Sequence, residues 1–108
     1  MTPNFVRVGS VSEFEPGALR AFVVGGRNVA VVQLEDAFYA FENFCTHEAV
    51  MFTSGYGAVA ASSIICMLHG SIFSLATGEV INGPAADPVA SFEVRVDGDD
   101  VLVADKPR

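Results

Sequence analysis

Cys45-Thr46-His47 and Cys66-Met67-Leu68-His69-Gly70 are two short stretches that together contain both cysteines and both histidines of this 108-residue chain. Residues 48–65 separate the two stretches. Thiolate sulfur and neutral imidazole nitrogen are the soft side-chain ligands that proteins offer to transition metals. Two Cys/His pairs at close spacing therefore predict a metal site with mixed sulfur and nitrogen ligands, held by Cys45, His47, Cys66 and His69.

Three other interpretations of these four residues remain open at this point. Buried cysteines and ordinary core or surface histidines are common, but they leave the pairing unexplained. A disulfide between Cys45 and Cys66 leaves both histidines unexplained, and a cytosolic chain disfavours it. Structural zinc accepts two cysteines and two histidines, although two to four residues usually separate its first two ligands. Here only Thr46 separates Cys45 from His47.

The sequence on both sides of these stretches predicts β-strands. Gly25-Gly26 and Glu35-Asp36 are breaks short enough to close hairpins between neighbouring strands. Apolar residues at 92, 94 and 96 alternate with charged ones, and the turn at 97–100 leads into residues 101–103, which predicts a further hairpin. The other predicted strands are Phe5–Val8, Ala18–Val24, Asn28–Leu34 and Ala37–Phe41. Many short strands with frequent turns favour an all-β fold.

The rest of the chain has weaker signals. No window shows a clean helical stripe of apolar residues, so we expect at most one short helical turn, within Val11–Leu19 around Pro16. Residues 42–88 are less regular and predict loops carried on the β scaffold, where sites tend to be built. No repeat or linker divides the sequence. We therefore expect a single domain over residues 1–108 with one hydrophobic core.

Composition and charge limit the classes of partner. The hydrophobic share of 51% favours a packed globule over a disordered chain. Thirteen acidic residues against six basic ones give a net charge of −7, which disfavours nucleic acid and anionic membranes and favours a basic protein partner. Met1–Ser10 does not resemble a secretory signal, and the weakly polar run Gly55–Leu68 is too short to span a membrane. We expect a soluble, cytoplasmic protein.

The pattern C-x-H followed by C-x-x-H-G, with Phe73 and Thr77-Gly78 downstream, resembles the signature of Rieske ferredoxins. This resemblance implies an all-β Rieske fold of stacked antiparallel sheets with two cluster-binding loops. It also implies one [2Fe-2S] cluster, in which two histidines replace two cysteines on one of the two irons.

Carried onto this sequence, the resemblance assigns each of the four ligands. Cys45 and Cys66 would bind the inner iron, and His47 and His69 the outer, solvent-facing iron. Gly83-Pro84-Ala85 resembles the proline-containing segment that covers the cluster in this family, although Gly-Pro is also common in ordinary turns.

Several positions depart from the family pattern. Met67 stands where proline is frequent, and Glu48-Ala49 stands where a glycine often follows the first histidine. The chain lacks the extra cysteine pair of the high-potential members, and Phe73 occupies the position of their hydroxyl-bearing tyrosine. Ser71 matches their serine, either as a hydrogen-bond donor to the cluster or as a loop-capping residue. The resemblance is therefore to the low-potential, soluble branch.

The function implied by the resemblance is electron transfer and not catalysis. The chain would carry single electrons from a ferredoxin reductase to the terminal oxygenase of an aromatic-ring-hydroxylating dioxygenase system, docking transiently on each. Glu42, Glu48 and Glu79 would give the docking face its acidity, while Val50, Met67 and Leu68 would give it an apolar tip. The alternatives are a small redox subunit of a nitrite-reductase-type enzyme, a zinc-stabilised interaction module and a regulatory iron-sulfur sensor.

Overall fold

The computed structural model describes residues 3–108, which form three antiparallel β-sheets. Met1 and Thr2, the start of the segment in which we expect no secretory signal, lie outside the described residues. The strands are β1 Phe5–Ser10, β2 Arg20–Val24, β3 Arg27–Leu34, β4 Ala37–Glu42, β5 Gly57–Ala60, β6 Ser63–Cys66, β7 Ile72–Ser74, β8 Val80–Asn82, β9 Ser91–Phe92, β10 Val94–Asp97 and β11 Asp100–Ala104. Their orders in the three sheets are β1-β11-β10, β2-β3-β4-β9 and β5-β6-β7-β8. The predicted all-β fold of stacked antiparallel sheets is confirmed.

The strands predicted outside the middle of the chain lie where expected. The Gly25-Gly26 and Glu35-Asp36 breaks join β2 to β3 and β3 to β4 as antiparallel neighbours. The predicted C-terminal hairpin is the β10–β11 pair. Helix is limited, within the described residues, to two short 3-10 turns, Val11–Glu13 and Phe52–Ser54. The first lies inside the range predicted for a helical turn, but it ends before Pro16.

The prediction that residues 42–88 consist of loops is wrong, because four short strands in this region form a complete sheet. Strands β5 to β8 have three or four residues each. Strands of this length are too short to show a clear alternation of apolar and polar residues. Their regularity comes from pairing with neighbours, as in the register of Ile64 opposite Phe73, and not from local sequence preference.

The sheet of β2, β3, β4 and β9 lies between the other two sheets, because its central strands bury both faces. Val29 and Val31 of β3 pack toward β11, whereas Ala30 and Val32 pack toward β6 and β7. This alternation follows from the two-residue period of a strand. The structure consequently has two hydrophobic clusters, one on each side of the middle sheet, and the prediction of one core is wrong.

The hydrophobic cluster between the middle sheet and strands β6 and β7 contains both cysteines, together with Phe52, Ile64 and Phe73. Cys45 begins a loop that follows β4, and Cys66 ends β6 at the start of the loop that leads to β7. We call residues 45–50 loop 1 and residues 66–71 loop 2. Within residues 3–108, no helix is long and apolar enough to cross a membrane.

Candidate metal centre

Loop 1 is closed by two backbone hydrogen bonds that start and end at Cys45. The N–H of Cys45 donates to the carbonyl oxygen of Val50 at 3.0 Å, and the N–H of Ala49 donates to the carbonyl oxygen of Cys45 at 2.7 Å. A β-bridge between Phe44 and Met51 continues the pairing beyond the loop. The loop therefore has a fixed backbone at the residues that flank the candidate ligands.

The base of loop 1 is held by Asn43, which is fully buried. Its side-chain amide donates to Thr53 Oγ1 at 2.6 Å and to Asn28 Oδ1 at 3.1 Å, and its Oδ1 accepts from the N–H of Thr53 at 3.1 Å. A buried amide costs free energy unless it is hydrogen-bonded, and here its groups are paired. Asn43 thus fixes the residues just before and just after loop 1.

Loop 2 repeats the backbone pattern of loop 1. The N–H of Cys66 donates to the carbonyl oxygen of Ser71 at 2.7 Å, and the N–H of Gly70 donates to the carbonyl oxygen of Cys66 at 2.8 Å. In both loops the cysteine is bonded to the residues four and five positions later. The two loops thus present their cysteines from equivalent turns, although the histidine follows two residues later in loop 1 and three residues later in loop 2.

The repeated turn requires a left-handed backbone at its fourth position after the cysteine. Gly70 has φ +83° there, and Ala49 has φ +54°. Glycine adopts this conformation without a steric penalty, whereas an alanine pays one. Loop 1, which has Glu48-Ala49 where the family often has a glycine, therefore adopts the same turn as loop 2 with backbone strain at Ala49.

The two thiols are buried and free. Cys45 and Cys66 each expose 1% of their surface and form no disulfide. Burial raises the pKa of the Cys66 thiol, and hydrogen bonds from the backbone of Leu68 and His69 partly oppose that rise. Metal ligation requires the thiolate, so the metal-free chain must lose protons to bind a metal.

The two imidazoles lie side by side at the surface. The ring centroids of His47 and His69 are 5.2 Å apart, and the rings meet edge to face. A carboxylate oxygen of Glu48 lies 3.6 Å from Nε2 of His47 and 4.0 Å from Nδ1 of His69. One ligand atom from each of these three residues lies within 4.8 Å of the others.

The four predicted ligands thus divide into an inner pair of sulfurs and an outer pair of imidazoles. The cysteine sulfurs do not belong to the group of close donor atoms formed by His47, Glu48 and His69. A single tetrahedral zinc ion needs all four ligand atoms around one point. A [2Fe-2S] cluster with two thiolates on one iron and two imidazoles on the other needs the division seen here. The residues therefore fit the two-iron cluster better than zinc.

Residues 83–88, which we call the capping segment, contact both loops. Thr46 donates its hydroxyl hydrogen to the carbonyl oxygen of Asp87 at 2.6 Å. The backbone N–H of Ala85 donates to Ser71 Oγ at 2.9 Å. Ser71 thus has the loop-capping contact considered for it, and its donation to a cluster remains a prediction. Phe73, at the position of the family's tyrosine, is fully buried.

The surface around the imidazoles differs partly from the predicted docking face. Met67 is 60% exposed and Leu68 is 40% exposed, as expected for an apolar tip, but Val50 packs against the buried cluster. Glu48 contacts both imidazoles. Glu42 and Glu79 instead line a surface groove with Arg108. Glu79 follows the turn after β7, whereas loop 2 precedes β7.

Sequence reasoning missed Thr46 and Ala49, and it placed Glu48 on the docking face without its contacts to both imidazoles. Thr46 lies between two ligands, yet nothing in the sequence indicates its contact with Asp87, which is distant along the chain. The position of Glu48 between the imidazoles depends on how the loops face each other. Ala49 gives no sign of a left-handed backbone, because only glycine in the equivalent position would have signalled it.

Comparisons with known proteins agree with this geometry. A family model described as Rieske [2Fe-2S] domain matches residues 4–93. Ferredoxin CarAc of Metapseudomonas resinovorans is 33% identical over 105 residues, which cover 96% of this chain and 96% of that protein. The solved structure of the ferredoxin of carbazole 1,9a-dioxygenase from Nocardioides aromaticivorans IC177 is 38% identical, with a TM-score of 0.87, and the alignment covers 98% of this chain and 100% of the other.

A second similar solved structure is a complex of a ferredoxin with an oxygenase. A chain in the complex of reduced oxygenase and oxidized ferredoxin in carbazole 1,9a-dioxygenase is 32% identical, with a TM-score of 0.87, and the match covers 96% of this chain and 95% of that chain.

The chain belongs to the family of Rieske [2Fe-2S] domains. Within that family it is similar to ferredoxin components of multicomponent oxygenase systems, which are electron carriers and not enzymes. The resemblance stated from the sequence is confirmed, as is one [2Fe-2S] cluster as the cofactor.

Proposed function

We propose that Cys45 and Cys66 bind the inner iron of a [2Fe-2S] cluster and that His47 and His69 bind its outer iron. The observation that carries this assignment is the division of the donors into two buried thiols and two exposed, adjacent imidazoles. The matching backbone of the two loops supports it, because each loop holds one cysteine in the same turn.

Such a cluster accepts and returns one electron at a time. The protein provides its environment: the buried residues around the cysteines, including Phe52 and Phe73, exclude water from the sulfur side. The exposed His47 and His69 leave the other side open to a partner. Electrons should therefore enter and leave through the imidazole edge, since transfer is fastest where the centre comes nearest to the protein surface.

The chain, in this proposal, carries single electrons from a ferredoxin reductase to the terminal oxygenase of an aromatic-ring-hydroxylating system. Support comes from the relatives, which include the ferredoxin components of carbazole, naphthalene and biphenyl dioxygenases. The oxygenase–ferredoxin complex supports direct docking on the acceptor. We also propose that residues 1–108 form one domain and that the protein works in the cytoplasm.

The distribution of charge supports docking on basic partners. Seven of the thirteen acidic residues, and none of the six basic ones, lie in residues 28–93, so this segment accounts for the whole net charge of −7. The same segment contains both loops. The remaining residues, 1–27 and 94–108, have acidic and basic residues in equal number. The excess of acidic residues in the segment that contains both loops should favour encounter with a positively charged surface.

A direct test of the proposed carrier function is electron delivery measured with the isolated components. The chain, reduced anaerobically, is mixed in a stopped-flow instrument with the oxidised terminal oxygenase of the same organism. We expect the chain to be reoxidised as the oxygenase centre gains one electron, and substrate turnover to depend on the chain being present. A reduced chain that is not reoxidised, and an oxygenase that turns over at the same rate without it, would contradict the proposal.

A further inference from the structure

Within residues 3–108, His47, Glu48 and His69 form the one group of three histidine, cysteine or acidic side chains whose donor atoms are close enough to share a metal ion. Loop 1 supplies His47 and Glu48, which are neighbours in the sequence, and loop 2 supplies His69. One donor atom of each residue lies within 4.8 Å of the other two, and no cysteine sulfur belongs to the group. We call these three residues the outer triad.

The separations in the outer triad are close to those that a zinc ion requires. Zinc binds imidazole nitrogen at about 2.0–2.1 Å and carboxylate oxygen at about 2.0–2.2 Å, so two donors on a tetrahedral ion lie about 3.3–3.5 Å apart. Oε1 of Glu48 lies 3.6 Å from Nε2 of His47 and 4.0 Å from Nδ1 of His69. Small rotations of these exposed side chains bring the donors together on one ion. Two imidazoles and a carboxylate are also a known zinc ligand set that leaves a fourth position for water.

The backbone that carries the outer triad is fixed by contacts that need no metal. Each loop is closed by the two backbone hydrogen bonds of its cysteine turn. Thr46, next to His47, also donates to the carbonyl oxygen of Asp87 at 2.6 Å. Ligands whose backbone is already ordered lose less conformational entropy when they bind. The outer triad is therefore prepared for an ion before any cluster is present.

Solvent reaches the outer triad but not the sulfurs. The side chains of His47, Glu48 and His69 are 32%, 46% and 50% exposed, whereas Cys45 and Cys66 each expose 1% of their surface. The net charge of −7 also attracts cations to the surface. An ion that arrives from solution therefore meets two imidazoles and a carboxylate before it meets a sulfur.

The outer triad and the proposed cluster need the same two imidazoles. The two nitrogens of one imidazole ring are distinct and point in different directions. A pair of rings that converges on one metal centre therefore cannot converge on a second one at the same time. Glu48 is not among the four proposed cluster ligands, and it follows His47 where the family often has a glycine. This carboxylate gives the chain a third donor beside the imidazoles.

We propose that His47, Glu48 and His69 bind one zinc ion in the chain that has not yet received its cluster, and that zinc and cluster exclude each other. The zinc site stands on the geometry of the outer triad alone. The exclusion rests on the ligand assignment proposed above, because it requires the outer iron to use His47 and His69. Since the coupling between two ligands is reciprocal, zinc in the outer triad opposes cluster assembly and so regulates the supply of loaded carrier.

Cobalt, which accepts the same ligands as zinc and absorbs visible light, tests the zinc site. The full chain is freed of metal with a chelator, kept reduced and anaerobic, and titrated with Co²⁺. We expect a single bound ion with the weak visible bands of nitrogen and oxygen ligands and without the intense near-ultraviolet band of a cobalt–thiolate bond. Added Zn²⁺ should displace the cobalt. Absence of binding, or a strong thiolate band, would overturn the proposal.

Glu48→Gln removes the carboxylate and keeps the size of the side chain. It should weaken Co²⁺ binding about tenfold or more, because even the loss of a residue that only orients a metal ligand costs about 10–100-fold in affinity. Glu79→Gln is the matched control, since it removes the same charge from an exposed side chain outside the outer triad. It should bind Co²⁺ as the wild type does. Equal weakening in both variants would assign the attraction to surface charge and overturn the ligand role of Glu48.

The loaded chain tests the exclusion between zinc and cluster. Calorimetric titration with Zn²⁺ should detect the site in the cluster-free chain and show its loss in the chain that carries the cluster. A loaded chain that binds zinc as tightly as the cluster-free chain would overturn the exclusion. A wild-type chain that assembles no cluster, even after zinc has been removed with a chelator, would contradict the ligand assignment instead. The cobalt titration of that same chain would still decide whether the outer triad binds an ion.

Discussion

The backbone strain at Ala49 leads to a prediction about thermal stability, which is tested at four positions that all have a positive φ: Ala49, Gly70, Ala61 and Gly26. Ala49 has φ +54°, and a left-handed backbone costs a non-glycine residue about 1–2 kcal/mol. Replacing alanine by glycine also makes the unfolded chain more flexible, which costs about 0.4–1 kcal/mol. The difference leaves Ala49→Gly more stable by about 0.5–1 kcal/mol. For a domain of this size, that free energy corresponds to an increase of about 3–5 °C in the midpoint of thermal unfolding.

The reverse substitution in loop 2 should have the opposite sign. Gly70 has φ +83°, and a Cβ added there meets no protein atom within 4 Å, so Gly70→Ala introduces backbone strain without a clash against the rest of the chain. We expect the midpoint to fall by about 3–5 °C, from the same two contributions with their signs reversed.

Two control variants separate backbone strain from effects on the metal site. Ala61→Gly, at φ +53° in the β5–β6 turn, should stabilise the protein as much as Ala49→Gly does. Gly26→Ala, at φ +77° with no atom near the added Cβ, should destabilise it as much as Gly70→Ala does. Circular dichroism of all five loaded proteins at one scan rate gives the midpoints. A lower midpoint for Ala49→Gly, with a raised one for Ala61→Gly, would refute the strain at loop 1.

The remaining predictions concern docking and potential. Glu48→Lys should slow electron transfer to the acceptor, and rising salt should slow the wild type, because the Debye length falls from about 10 Å at 0.1 M to about 3 Å at 1 M. If the stopped-flow rate is the same in Glu48→Lys and at high salt but falls in Leu68→Ala, docking depends on the apolar tip instead. The wild-type midpoint potential should lie in the lower part of the Rieske range, near about −150 mV, and a redox titration well above zero would contradict this. Phe73→Tyr should raise that potential by placing a hydroxyl in the buried layer beside the cluster. His69→Cys should lower the potential or abolish cluster binding, which visible absorption and a redox titration distinguish.

The grouping of the four candidate ligands and the outer strands could be predicted from the sequence because their signals are local. Two Cys/His pairs in two short stretches are evident without a structure, and so is the hairpin of residues 92–103. Strands β5 to β8 could not be predicted, since strands of three or four residues are stabilised by their neighbours. The two hydrophobic clusters were missed for a related reason. The central strand β3 is apolar on both faces, and only the stacked sheets of the structure show that each face is covered by another sheet.

The contacts between loops are the part of the site that the sequence does not reveal. The hydrogen bond from Thr46 joins residues 41 positions apart, and Ser71 and Ala85 are 14 positions apart. Hydroxyl residues are common in loops, so neither side chain identifies its partner. The groove that Glu42 and Glu79 line together with Arg108 is a similar case, because closeness in sequence to a ligand does not show which residues a side chain will face.

The iron, sulfide and zinc content of the purified chain, measured together with its visible spectrum, tests the central claim most directly. We predict two irons and two inorganic sulfides per chain, as in a Rieske [2Fe-2S] domain, with a coloured protein whose absorption bleaches on reduction by one electron. The double variant His47→Ala/His69→Ala should lose this absorption, whereas Glu48→Gln should keep it. A colourless wild-type chain that contains one zinc, even after anaerobic reconstitution with iron and sulfide, would contradict the assignment of Cys45, His47, Cys66 and His69 to a two-iron cluster.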